Sequence, residues 1–179
     1  MADWYRMLGA DHVEFIRKQH VFFVATAPAD GDGYPNLSPK GYDSLDVLSP
    51  SELVFVDMPG SGNQTASHVA RGGRITLMFC GFEAHAMILR VYGRGVVLLP
   101  DTAGYADLAA RLRPGMIGPY TRQLISITVD KVQTSCGYGV PRFDFAGERD
   151  TLRRYYERAE EKGEFPAKLE RARRLQDPV

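Results

Sequence analysis

The sequence has no excess of charge of either sign. Its 22 lysine and arginine residues balance 22 aspartate and glutamate residues, so the formal net charge is zero. Proteins that bind nucleic acids or membrane surfaces generally carry an excess of positively charged residues, which bind the phosphate groups. We therefore expect neither a nucleic acid nor a membrane as a partner, whereas a local basic pocket for one small anionic ligand remains compatible with this composition.

Long hydrophobic runs are also missing. The longest, at 21–27 and 53–56, fall far short of the roughly 18 apolar residues that a membrane span requires. The opening residues, MADWYRMLGADHVEF, contain three acidic side chains and no apolar core, so no secretory signal is predicted.

Cysteines and closely spaced metal ligands are scarce. Cys80 and Cys136 are too few for a disulfide framework, and we expect two reduced thiols in a cytoplasmic protein. No metal site is predicted, because none of the four histidines has a histidine four residues away or a cysteine neighbour. These histidines are His12, His20, His68 and His85.

The residues that are present predict one mainly β domain with peripheral helices. VFFVATA and ELVFVD are rich in β-branched and aromatic residues, and the turn residues between them and PNLSPKG indicate a hairpin over 21–40. Six closely spaced strands interrupted by two short helices favour an antiparallel barrel. The predicted strands are 21–27, 35–43, 52–57, 74–82, 86–99 and 122–132, and the predicted helices are 9–19, 63–72 and 101–112.

The pattern changes after residue 147. Apolar residues recur at helical spacing from 148 onward, with charged residues on the other faces, and Gly163 separates this helix from a second one at 167–176. We expect 1–147 to form the barrel domain and 148–179 to be a helical extension of the same domain.

The junction VDMPGSGNQTASH, at 56–68, is the first candidate binding site. Gly60 and Gly62 lie between a strand and a helix with Asn63 at its N-cap. The first backbone N–H groups of a helix lack internal partners and attract anions, above all phosphate. A simple capped turn explains the same pattern without a ligand.

Two cations on strands are the other candidates. Lys40 ends an otherwise apolar strand, where it could bind a phosphate or protect an exposed strand edge. Arg90 shares its face of a strand with Ile88 and Tyr92, opposite Leu89 and Val91. If that face is covered, the arginine needs an anionic partner, and if it is exposed it needs none.

The order of NLSPKG, DMPGSGN and RVYGRG along the chain resembles the pyridoxamine 5′-phosphate oxidase-like flavoprotein superfamily. The resemblance runs from about Phe15 to Val132, and 135–152 is similar to one flavoprotein subgroup of it. It implies a six-stranded antiparallel Greek-key split barrel of the FMN-binding type. It also implies a homodimer with two FMN sites at the subunit interface.

The resemblance also implies which residues contact FMN. They lie on the second strand, at the end of the third strand and in its turn, on the fifth strand, and on the last strand of the partner subunit. The residues implied on the second strand are Asn36, Leu37, Ser38 and Lys40. Those at the end of the third strand and in its turn are Val56, Asp57, Ser61, Asn63 and Gln64. The fifth strand contributes Ile88 or Arg90, and the last strand of the partner subunit contributes Arg122 or Gln123.

The chain departs from the oxidase itself at two places. The oxidase holds the FMN phosphate with an Arg-Lys pair, for which this chain has Gly62 and Asn63, so the phosphate would rely on helix N–H groups with Lys40 or Arg90. The oxidase's C-terminal arginine and tryptophan pattern is absent, since Trp4 is the sole tryptophan. Pyridoxamine phosphate is therefore not the expected substrate.

The sequence thus predicts an FMN-dependent oxidoreductase acting on a small-molecule redox substrate, with no catalytic residue assigned. Two alternatives remain open. The same fold could use deazaflavin or haem, or the chain could be a non-catalytic flavin-binding sensor or interaction module.

Overall fold

The computed structural model describes residues 2–174 and contains eight strands and five helices in that range. The strands are β1 (Asp3–Tyr5), β2 (Phe22–Ala27), β3 (Asn36–Lys40), β4 (Leu45–Ser49), β5 (Glu52–Asp57), β6 (Arg74–Cys80), β7 (Met87–Leu98) and β8 (Gln123–Cys136). The helices are α1 (Ala10–Arg17), α2 (Gln64–Ala70), α3 (Tyr105–Ala110), α4 (Thr151–Glu161) and α5 (Phe165–Arg173).

All of the strands belong to one antiparallel sheet. Its order is β3-β2-β6-β7-β8-β5-β4, and β1 pairs with β8 beside this path. Within residues 2–174 no backbone ladder joins the end strands β3 and β4, so hydrogen bonding does not close the sheet. Pro39 lies on the edge strand β3, as expected for a residue that cannot donate to a ladder.

The prediction of six strands is wrong, because β1 and β4 are present and were not predicted from the sequence. β1 has three exposed residues and no periodic pattern to reveal it. β4 contains a buried aspartate, Asp46, and aspartate is a residue type that indicates a loop in a sequence. The Asp46 carboxylate accepts hydrogen bonds from the backbone N–H and the Nε of Arg113, 67 residues later.

Several boundaries also differ from the predictions. β3 ends at Lys40, whereas its strand was predicted to reach 43. α5 covers Phe165–Arg173 instead of 167–176, of which 175 and 176 lie outside the described residues. β8 continues to Cys136 because 132–136 pair with β7, whereas the strand was predicted to end at 132. α3 begins after Gly104, whose φ of 83° is left-handed, and not at Asp101 or Thr102. The hydroxyl of Thr102 donates to the carbonyl of Leu99 instead.

The largest hydrophobic cluster lies on one face of the sheet, which we call the inner face. Phe22 and Val24 of β2 and Leu53 and Phe55 of β5 point into it at the period of two expected for strands. The opposite side of β5 presents Val54 and Val56 to α3 in a second cluster.

The C-terminal helices pack through a third, smaller cluster. Tyr156 and Ala159 of α4 and Phe165 of α5 are buried against one another, with Tyr120 beside them. None of the helices within residues 2–174 is long and apolar enough to cross a membrane.

Candidate functional site

The candidate residues on β3 divide between the two faces of the sheet. Residues that lie opposite each other in an antiparallel pair share a face. Lys40 lies opposite Phe22, and Ser38 lies opposite Val24, so Lys40, Ser38 and the alternating Asn36 are on the inner face. Leu37 is on the outer face and is 67% exposed.

A buried ion pair stands at the inner-face end of β5. The Nε and Nη2 of Arg122 donate to Oδ2 of Asp57 at 2.8 and 2.6 Å. Gln123 Nε2 donates to the same oxygen at 2.7 Å. Both charged residues are 2% exposed, so their interaction is little screened by water.

Lys40 adds a second cation to this pair. Its Nζ lies 3.8 Å from the other Asp57 oxygen, Oδ1, and 5.2 Å from the centre of the Phe55 ring. Burial lowers the pKa of Lys40, although the negative charge of Asp57 opposes that shift. Two cations face one carboxylate in this charged cluster, which we define as Lys40, Asp57 and Arg122. The cluster therefore carries one net positive charge, which an anionic ligand would balance.

Neutral polar groups continue the site along the inner face. Ser38 Oγ donates to Asn36 Oδ1 at 2.8 Å, and Asn36 Nδ2 donates to Thr65 Oγ1 at 3.1 Å. Thr26 Oγ1 lies 3.1 Å from His68 Nδ1. These contacts bring α2 onto β2 and β3.

Two buried polar atoms in this region have no hydrogen-bond partner within residues 2–174: His68 Nε2 and Gln123 Oε1. Buried polar groups are nearly always paired, so each has capacity for a water or a ligand group. An ammonium, hydroxyls, an amide and a free acceptor form a donor and acceptor set that fits a phosphate and a polyhydroxyl chain. The residues present therefore fit FMN.

The glycine turn before α2 is arranged differently from the simple capped turn. Asn63 occupies the N-cap position, but its side chain does not cap the helix. Its Oδ1 accepts from Gln123 Nε2 at 2.8 Å. Ser61 is exposed and Gln64 is half-buried, while the space around Gly60 is open.

The C-terminal helices cover the buried side of this turn. The hydroxyl of Tyr156 donates to the carbonyl of Pro59. Arg122 Nη1 donates to two carbonyls, those of Gly62 and Ala172, each at 3.0 Å. Arg122 thus links β8, the glycine turn and α5 within one chain, whereas the resemblance implied that it reaches across to a partner.

Ile88 and Arg90 lie on the outer face. Arg90 is opposite Met78, Met78 is opposite Phe23, and Phe23 is opposite Pro39, the neighbour of Lys40. Arg90 Nη1 donates to Ser135 Oγ at 3.1 Å. The structure therefore does not bring Arg90 and Lys40 to one ligand within a single chain.

Val56 is separated from the charged cluster by the sheet. It packs under α3 and lines a cavity of about 350 Å³ between the β3–β4 turn and the loop at 113–121. Within residues 2–174, no group of three or more histidine, cysteine, aspartate or glutamate side chains could hold a metal ion.

Thr26, Thr65 and His68 also lie in this group of residues and were not predicted from the sequence, and Gln123 was predicted only as an alternative to Arg122. His68 stands one turn after the glycine-rich bend, but its partner Thr26 is 42 residues earlier. No local pattern signals such a contact, because the β2–β6 pairing creates it.

Comparison with known proteins identifies the family. The family model described as pyridoxamine 5′-phosphate oxidase matches residues 8–136. The pyridoxamine 5′-phosphate oxidase family protein ustO of Aspergillus flavus is 37% identical over 154 residues, which is 84% of this chain and 61% of that protein. This chain therefore spans about three fifths of the length of that relative.

Solved structures show the same fold. A candidate pyridoxamine 5′-phosphate oxidase from Lactobacillus delbrueckii superposes with a TM-score of 0.54 at 22% identity, covering 72% of this chain and 94% of that one. HupZ from group A Streptococcus superposes with a TM-score of 0.55 at 21% identity, covering 70% and 92% of the two chains. The chain belongs to the pyridoxamine 5′-phosphate oxidase family and has its split-barrel fold.

Proposed function

We propose that this protein binds FMN and acts as a flavin-dependent oxidoreductase on a small-molecule substrate. The observation that carries the proposal is the net positive charge of the buried cluster of Lys40, Asp57 and Arg122 beside the hydroxyls and amides of the inner face. Family membership supports a flavin as the cofactor, and this cluster would give the chain a means of binding its anionic group.

Lys40 is the principal anion-binding residue in this proposal. Its nearest carboxylate oxygen is beyond hydrogen-bond distance at 3.8 Å, so the donors of its ammonium group are not consumed by Asp57. A lysine ammonium is a point charge suited to phosphate or to an electron-rich ring oxygen. Ser38 and Asn36 share its face and supply hydroxyl and amide groups for the ribityl chain.

Arg122 and Asp57 act as positioning residues. The pair fixes the end of β5 against the start of β8, where Asp57 lies opposite Gln123. That register holds Gln123 and Asn63 beside the glycine turn. When bound, FMN would supply hydride transfer at its ring, while these residues orient the cofactor and neutralise its charge.

The division of candidate residues between two faces supports a homodimeric site. Leu37, Ile88 and Arg90 lie on the outer face, away from the charged cluster. A second copy can place its outer face against the inner-face end of the first, so that one flavin contacts both groups. The exposed Leu37 is an apolar residue that such an interface would bury.

Flavin binding is tested by adding FMN to the purified protein and measuring absorbance after desalting and the shift in melting temperature. A ligand that binds the folded state raises the melting temperature by mass action. Deazaflavin and haem are run in parallel. Retention and stabilisation with FMN alone support the proposal, and preference for either other ligand replaces the cofactor. No stabilisation by any of the three overturns it.

Enzyme activity is tested separately by mixing the FMN-loaded protein with NAD(P)H and following flavin reduction. Rapid reduction supports an oxidoreductase. Tight flavin binding without reduction by NAD(P)H or a panel of other reductants favours a flavin-binding sensor or interaction module.

A further inference from the structure

A cavity of about 670 Å³ lies where β2 begins and β6 ends. Three segments of the chain build its walls: α1 with the residues that follow it up to Val21, the turn at 81–85, and the segment at 143–145. No residue of the charged cluster lines it. Cavities of this size are typical of sites that hold small organic molecules. This cavity is therefore a candidate ligand site separate from the charged cluster.

An aromatic pair joins each two of the three segments, and all six rings line the cavity. The pairs are Phe15 with His85, Phe82 with Phe143, and His20 with Phe145. The ring centroids of the first two pairs are 5.7 and 5.6 Å apart. Those of the third pair are 3.6 Å apart, and its rings are parallel to within 6°. Walls made of π-surfaces favour a flat aromatic ligand, which can stack on them or meet their edges.

The segment at 143–145 exposes two of these rings. Phe143 is 60% and Phe145 is 46% exposed, although both are large apolar side chains. The backbone N–H of Phe143 donates to the carbonyl of Phe82 at 2.9 Å, which fixes the segment against the turn. Exposed apolar side chains that are grouped around a concave surface are typical of a ligand-binding groove. The two rings are thus available to a molecule that enters the cavity from solvent.

The turn at 81–85 has a fixed shape. The backbone N–H of Gly81 donates to the carbonyl of Met87 at 2.8 Å. A Cβ at Gly81 would lie 1.9 Å from the carbonyl oxygen of His85, so only glycine fits there. This close approach places Phe82 and His85 on the cavity wall before any ligand is present, and a preformed wall reduces the ordering cost of binding.

The charge around the cavity is negative, although the chain as a whole is neutral. Glu14 and Lys18 pair with each other at 2.6 Å and balance. Asp11, Glu83 and Asp144 also line the cavity, and within residues 2–174 their side chains form no hydrogen bond or ion pair. With both histidines counted as neutral, these three carboxylates give the walls a net charge of −3. A concave surface of one sign concentrates ions of the opposite sign, so the walls favour a cation.

We propose that this cavity binds a small organic cation that carries a flat aromatic ring. The ring packs against the aromatic pairs, and the cationic group lies beside the carboxylates of Asp11, Glu83 and Asp144. Interaction of the cation with the faces of Phe143 and Phe145 adds to the attraction. The same carboxylates disfavour an anion of similar shape, FMN included. The proposed occupant differs from FMN in charge, so this site does not depend on the proposed function.

The test titrates tryptamine and indolepropionate into the purified protein by calorimetry. Both probes carry an indole ring, but tryptamine is a cation and indolepropionate is an anion. We expect tryptamine to bind at one site per chain with a Kd below about 1 mM, the weak end of the range typical of enzyme substrates. At low salt its Kd should be at least about 10-fold lower than that of indolepropionate, and the difference should shrink at high salt.

Two pairs of variants locate the site. Phe145→Ala removes one ring from the wall and should weaken tryptamine binding about 5-fold, in line with the loss of one aromatic contact. Its control is Tyr138→Ala, which removes an 86% exposed ring outside the cavity. Glu83→Gln removes one carboxylate and should weaken binding about 3-fold, and Glu161→Gln, at an exposed position on α4, is its control. All four positions are exposed, so each variant should keep the melting temperature of the parent protein.

Hydrogen exchange on the unsubstituted protein locates the probe without any variant. Tryptamine should slow exchange of the amides at 81–85 and 143–145 and leave those of β3 unchanged. No saturable binding of tryptamine, or equal affinity for indolepropionate, would overturn the proposal, and so would equal losses in Phe145→Ala and Tyr138→Ala. None of these measurements uses FMN, so a failure of the protein to bind FMN would overturn the proposed function and leave this result unaffected.

Discussion

Lys40 and Arg90 lie on opposite faces of the same sheet. The register from Arg90 through Met78 and Phe23 to Pro39 places Arg90 outside, whereas Lys40 lies opposite Phe22 of the core. A single phosphate therefore cannot contact both Lys40 and Arg90 of the same chain. In the proposed site Lys40 contacts the anion, whereas Arg90 lies on the face that the proposed second copy would use.

Replacing Lys40 should weaken FMN binding without lowering the free energy of unfolding. Lys40→Met retains the balanced pair of Asp57 and Arg122 and removes a buried cation, so the free energy of unfolding should stay the same or rise. FMN affinity should fall about 10-fold or more, because a hydrogen bond to a charged group contributes about 1.5–3 kcal/mol. Calorimetric titration and urea unfolding measure the two quantities.

The matched control for Lys40 is Lys18→Ala. Lys18 forms an exposed ion pair with Glu14 on α1, and such pairs contribute little to stability. An unchanged FMN affinity in Lys40→Met would contradict the role assigned to Lys40.

Asp57 should be far more important to stability than an exposed carboxylate. Asp57→Asn leaves the buried charges of Arg122 and Lys40 without an anion, and we expect a loss of about 3–5 kcal/mol in urea unfolding. Glu14→Gln is the control, since Glu14 forms one exposed ion pair with Lys18 on α1 and its replacement should cost little. Equal losses in both variants would show that the buried pair is not the stabilising element described here.

Alkaline pH should act through Lys40. Burial lowers its pKa below the ordinary value of 10.5, so between the lowered pKa and 10.5 the unfolded chain binds more protons than the folded one. The free energy of unfolding should therefore rise with pH across that window, relative to Lys40→Met. FMN affinity should fall over the same window as the ammonium loses its charge. A pH dependence identical in the two proteins would exclude Lys40 as the titrating group.

The outer face predicts the state of association. Leu37→Glu places a charge on a strand that the proposed interface buries, so light scattering should show a dimer for the parent protein and a monomer for the variant. Tyr155→Glu, at an exposed position on α4, should remain dimeric. A parent protein that is monomeric and still binds FMN tightly would rule out the two-chain site.

The strands that carry strong local patterns could be predicted from the sequence. β5 was predicted with its observed bounds because Leu53 and Phe55 alternate in an apolar run between turn residues. The register of the β7–β8 pair shifts between Tyr92 and Gly93, within the strand predicted at 86–99. A Cβ at Gly93 would lie 2.3 Å from the carbonyl of Thr128, so close packing requires glycine there.

The parts that could not be predicted depend on distant contacts. The sequence indicates only that Arg122 is a charged residue at the start of a strand. Arg122 is nevertheless buried, because Asp57, 65 residues earlier, bonds to it across the β5–β8 ladder. Asp46 is buried in β4 because Arg113 reaches it. The position of α5 over the glycine turn likewise follows from tertiary packing and not from its own sequence pattern.

An FMN titration of the purified protein alongside Lys40→Met, followed by the absorbance spectrum after desalting, tests the central claim most directly. We predict a yellow parent protein that retains FMN and a variant that loses it while remaining folded. A parent protein that retains no flavin, or a variant that retains it equally well, would contradict the assignment of the inner-face cluster as the cofactor site.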